Sequence, residues 1–158
     1  MLGFTKHHNK FEEGQSLVEA ALGLVIIITI FMGIADLGRA YFIMVALEDS
    51  AGEAALYLSL NPECQTEASR EDMSCANPNN TEFRARSVGG VELDWDRVDV
   101  RMSVPENYSV GDIVTVEVRY QFDMLMPFIR QVIGSDRLNL NATASQIILT
   151  ERVAEQSS

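Results

Sequence analysis

What is scarce in this 158-residue chain narrows its chemistry before any motif is considered. Lysine stops at Lys10, and all ten basic residues beyond it are arginine. Histidine occurs only as His7 and His8, so no later position offers the side chain most used for proton transfer near neutral pH. There is no Gly-x-Ser-x-Gly turn and no phosphate-binding glycine loop, and we expect no catalytic residues, no metal site and no cofactor. Positive charge is also thin: after Ala35 there are 20 Asp and Glu against 10 arginines, a net charge of −10. A basic footprint for nucleic acid is therefore missing. The three Asp residues at 94, 96 and 99 read as a solvated acidic turn, because the glycine and closing glutamate of a calcium loop are absent.

Cysteine appears twice, as Cys64 and Cys75, too few for a zinc site without histidine beside them. The spacing predicts a local disulfide, and the alternative is two free thiols in a loop. Proline is absent before Pro62. Nothing in residues 15–60 forbids one helix of about 46 residues, roughly 69 Å long, and Asn61-Pro62 supplies its stop.

What is present is equally one-sided. Residues 17–35 hold a single charge, Glu19, around the core LVIIITIFMGIA. At about 1.5 Å per residue this run spans roughly 28 Å, close to the hydrocarbon thickness of a bilayer. Lys6 and Lys10 precede it, which favours an N-terminus on the cytoplasmic side and a head outside the cytoplasmic membrane. The second half of the helix mixes charge with Leu37, Tyr41, Met44, Val45, Leu56 and Tyr57, whose three- and four-residue spacings predict a face laid on a folded domain. Gly38 and Gly52 weaken that half by about 1 kcal/mol each.

Residues 61–80 form a loop closed by the cysteines. Thr81 is expected to cap a short helix through Val88, ended by Gly89-Gly90. The apolar period then becomes two, in 98–104, 114–122 and 138–144, which predicts three strands of an antiparallel meander. The stretch MLMPFIRQVIG, residues 124–134, is expected either to close one end of the core or to offer a contact surface to a partner or the bilayer. The expected fold class is α+β: a membrane helix continuing as the spine of a head formed by residues 81–158.

The stretch Gly14-Gln15-Ser16-Leu17-Val18-Glu19, directly ahead of the apolar helix, resembles the type IV prepilin signature. The wider pattern GQSLVEAALGL, then GIADLGRAYF, is similar to the TadE-like branch of pilin-like proteins in the tight-adherence (Flp) pilus system, with Asp36, Gly38 and Arg39 matching the helix-end motif. That resemblance implies a leader, residues 1–14, removed by a prepilin peptidase between Gly14 and Gln15, and a Glu19 carboxylate that pairs with the new amine of a neighbouring subunit. Gln15 stands where many type IVa pilins begin with Phe, and the head is larger than that of a major Flp pilin. The first departure bears on N-methylation, and the larger head implies a minor pilin or pseudopilin in the cytoplasmic membrane or the cell-surface pilus, with other pilin subunits and the assembly machinery as partners. The alternative is a signal-anchored extracytoplasmic binding protein that never joins a filament.

Overall fold

A computed structural model describes residues 10–69, 74–88, 93–125, 134, 135 and 137–150. Its dominant element is helix α1, Lys10–Leu60, 51 residues in one unbroken rod. The absence of proline from Lys10 to Leu60 allows that length of about 76 Å. The helix opens at Lys10, ahead of the Gln15 start expected from sequence, so Gly14 lies inside its first turns. Asn61 ends it as expected, its amide bonded to the Tyr57 carbonyl at 2.9 Å.

The head is built on the outer half of α1. Helix α2, Thr81–Val88, packs beside it, and three strands follow: β1 (Val98–Ser103), β2 (Ile113–Asp123) and β3 (Arg137–Ile147). They form an antiparallel sheet in the order β1-β2-β3, with Val100 opposite Val118 and Val118 opposite Ala142. Alternation decides the faces: Val114, Val116, Val118, Tyr120 and Phe122 turn inward, while Thr115, Glu117, Arg119 and Gln121 share the other side. The β1–β2 turn is closed by Gly111, whose φ of +99° favours a residue without Cβ. The α+β class, the long helix and the three-stranded meander are as the sequence predicted.

Two expectations need correction. The helix face that carries the head consists of Ile43, Leu47, Ala51, Ala54, Ala55 and Leu58, in one cluster with the inward side chains of β2. Of the residues picked from spacing, Leu37 is 72% and Tyr41 67% exposed. Val45 and Leu56 are also exposed, and only Met44 and Tyr57 are half-buried. The small alanines, poor signals in a periodicity reading, are what let sheet and α2 approach the spine closely. Likewise the cap of α2 is Asn80, whose Oδ1 accepts the Phe83 amide at 2.8 Å. The neighbouring Thr81 hydroxyl donates instead to the Cys64 carbonyl at 2.9 Å. The Gly89-Gly90 stop, most of the apolar stretch 124–134 and the first nine residues lie outside the described residues.

Candidate functional site

Apart from the two cysteines, the positions singled out by the sequence lie on α1, at the two ends of its apolar run. At the inner end, Gly14, Gln15 and Glu19 are exposed. A Cβ added at Gly14 would meet nothing within 4 Å. Glu19 sits two residues into the apolar run, and no described residue pairs with it. Between Gly14 and Leu60, an 18-residue window reaches a mean hydropathy of 2.5 with none of it buried. Bare side chains such as Ile26 and Phe31, 61% and 67% exposed, have no protein cover. A helix apolar all round and uncovered belongs in lipid or among other helices.

At the outer end the geometry is more elaborate. Asp36, the first residue past the run, is only 5% exposed. Its two carboxylate oxygens accept the backbone N–H of Leu125 at 2.9 and 3.2 Å, across 89 residues of sequence. Arg39 donates to the same carboxylate at 3.4 Å from one turn on, and its guanidinium lies 5.1 Å from the centre of the Phe122 ring. The helix-end motif is thus a clamp: an acid on the spine holds the chain where β2 leaves the sheet. Gly38 is half-buried, with nothing within 4 Å of an added Cβ. Sequence reading found the acid and the arginine but missed Leu125, because a backbone donor carries no side-chain signature.

Replacing Asp36 with Ala leaves the Leu125 amide without its acceptor and removes the partner of Arg39. A hydrogen bond to a charged group contributes about 1.5–3 kcal/mol. We expect the Leu125 amide to lose at least about tenfold in hydrogen-exchange protection, while amides in the middle of β2 change little. Asp36→Asn, which keeps a carbonyl oxygen, should fall between.

The far end of the head is fixed by a disulfide between Cys64 and Cys75, with Cα atoms 5.0 Å apart. Around it the Thr81 amide bonds to the Cys64 carbonyl at 2.9 Å, and the Asn80 side-chain amide donates to the Cys75 carbonyl at 3.1 Å. The bridge therefore ties the end of α1 to the start of α2.

The outward face of the sheet is a shallow polar groove lined by Arg97, Asp99, Arg101, Glu117, Arg119 and Asn141. Its charges are matched: Arg119 grips Glu117 through two hydrogen bonds of 2.8 Å, and Arg101 meets Asp99 at 2.8 Å. The Arg119 hydrogen bond holds the Glu117 carboxyl below its ordinary value, and the Arg97 hydrogen bond does the same for Asp123. These pairs are exposed and contribute little to stability. Among the described residues no three potential ligands gather as a metal site. Asp94 is used locally, accepting the Asp96 amide at 3.3 Å and pairing with Arg97 at 3.1 Å.

No curated protein and no solved structure matches the chain. The helix that carries Gly14, Gln15, Glu19, Asp36, Gly38 and Arg39 does have a match: residues 14–56 fit the family model described as TadE-like protein, and over that span the chain is similar to that family.

Proposed function

We propose that this protein is a minor pilin or pseudopilin of a Tad-type pilus, inserted by its apolar helix with the head outside the cytoplasmic membrane and matured by a prepilin peptidase. The TadE-like match over 14–56 supports a pilus-associated role. The observation that carries the reading is the bare stem: an uncovered apolar helix long enough to span a bilayer, with one carboxylate near its start. A simple anchor has no use for an acid there. A subunit whose helix packs among copies of itself does, because an amine created at Gln15 gives Glu19 a counter-charge on a neighbour and sets the register between helices. Leaving either charge unpaired in such a setting costs several kcal/mol.

Gly14 fits the same scheme. A peptidase takes its substrate as an extended chain, and Gly14 lies within helical turns that must open first. Glycine gives up helix more cheaply than any other residue but proline, by about 1 kcal/mol relative to alanine. It also offers no Cβ at the cleaved bond.

Mass spectrometry of the protein from a cell with a working prepilin peptidase tests this. A mature N-terminus at Gln15, lost in Gly14→Trp, is the expected result, and an intact Met1 sinks the reading in favour of a signal-anchored binding protein. Glu19→Ala should still be processed, yet its share in pilus fractions should fall by about tenfold or more, as loss of a pairing of this size requires. Unchanged incorporation removes Glu19 from assembly.

A further inference from the structure

We propose that, before any assembly, the head rests directly on the outer surface of the bilayer, seated by a collar of apolar side chains, Leu37, Tyr41, Phe42 and Leu125, in the interfacial layer. This rests on the reading of residues 17–35 as the membrane span, and it adds a second membrane contact made by the head itself.

The Asp36 clamp sets the height of the head. Asp36 directly follows Ala35, the last residue of the apolar run, and its carboxylate holds the Leu125 amide at 2.9 Å. The base of the head therefore lies level with the end of the hydrocarbon, with no spacer to lift it clear. Leu125 is 61% exposed at that base. On the helix, Leu37, Tyr41 and Phe42 are 72%, 67% and 76% exposed, all outside the face that carries the sheet. Two sides of the molecule thus show apolar groups within about 9 Å of the Asp36 level, continuous with the bare surface of the stem.

Length and chemistry both fit the headgroup layer. Phe42 is about 9 Å along the helix from Asp36, and the polar layer adds roughly 5–7 Å to each side of the hydrocarbon, so a modest tilt brings the collar within it. Aromatic rings are favoured at that depth, and Tyr41 and Phe42 stand edge to face with centroids 6.3 Å apart. Arg39, whose side chain is 47% exposed, holds its guanidinium over the Phe122 ring and beside Asp36, and the exposed part of that group is placed to meet lipid phosphate. The residues beyond Ala35 carry a net charge of −10, so general electrostatic attraction to anionic lipid does not hold the head down. The contact has to be apolar and local.

Single-tryptophan variants of the full chain in phosphatidylcholine–phosphatidylglycerol vesicles, at high lipid to protein ratio, test the proposal. Trp95→Phe removes the native fluorophore, and Leu125→Trp, Tyr41→Trp or Phe42→Trp reports the collar. Ile27→Trp reports the middle of the apolar run and Ser145→Trp the far face of the sheet. We expect the collar to be quenched more by lipids brominated near the headgroup than by lipids brominated near the chain ends. Ile27→Trp should show the reverse order, and Ser145→Trp no quenching. Quenched Ile27→Trp with collar positions that behave like Ser145→Trp overturns the collar and leaves the membrane span standing. An unquenched Ile27→Trp overturns both. Blue-shifted but unquenched collar positions, together with cross-links between copies, assign the collar to a protein contact and overturn the proposal as well.

Discussion

Leu47→Ala is expected to destabilise the head by about 2–5 kcal/mol, the usual cost of deleting a large buried aliphatic side chain and leaving part of its cavity behind. Leu47 is fully buried, at the middle of the helix face on which β2 lies. Its neighbours along that face, Ile43 and Ala51, belong to a helix kept straight by its own hydrogen bonds, so the site has little freedom to collapse. Urea unfolding of the detergent-solubilised protein, followed by Trp95 fluorescence, measures the change. The informative partner is Phe42→Ala. Phe42 is larger than Leu47 and only five positions away, yet 76% exposed, and its removal should leave head stability within about 0.5 kcal/mol. Equal losses in the two variants would mean that the head lies on a different face of α1.

Opening the disulfide is expected to cost about 2–3 kcal/mol, the loop-closure value for a bridge spanning 11 positions. Cys64 and Cys75 are both buried, and the carbonyls of both hold the start of α2. Loss of the bridge therefore loosens α2 first. The urea midpoint should fall on adding dithiothreitol to the native protein and stay unchanged when the Cys64→Ser/Cys75→Ser double variant is treated in the same way. A reductant effect of equal size in the double variant would assign the loss to something other than this bridge.

Element boundaries were largely legible in the sequence. The three strands follow from alternation, because one side of the sheet is buried and the other wet, and a shift of one residue would reverse every side chain in β2. The stop at Asn61-Pro62 and the pairing of the two cysteines follow from equally local chemistry. What was not legible is which side of α1 carries the head. The helix is apolar on several faces at once, since its first half is long and apolar enough to cross a membrane and its second half packs the head, and the spacing of Leu37, Tyr41 and Val45 satisfies a packing pattern as well as Ile43, Leu47 and Ala51 does. Only the position of the sheet decides between them. The same limit applies to the candidate site. Asp36 could be marked as unusual at the edge of an apolar run, but its partner is the main chain of a residue 89 positions away.

A second long-range tie lies at the other end of the head. The Leu149 amide bonds to the Ser59 carbonyl at 3.0 Å, and the Thr150 hydroxyl to the Leu60 carbonyl at 2.9 Å. With the Asp36 clamp, both ends of the outer half-helix are thus fastened to chain made about 90 residues later. In a chain made N-terminus first, the spine is complete well before the strands that cover it. Ile43, Leu47 and Leu58 are then bare until the strands arrive, and contacts of such long sequence separation close slowly. The newly made chain is therefore most open to proteases and wrong partners in that interval, and a holdase that masks the bare face of the helix should raise the yield of folded heads.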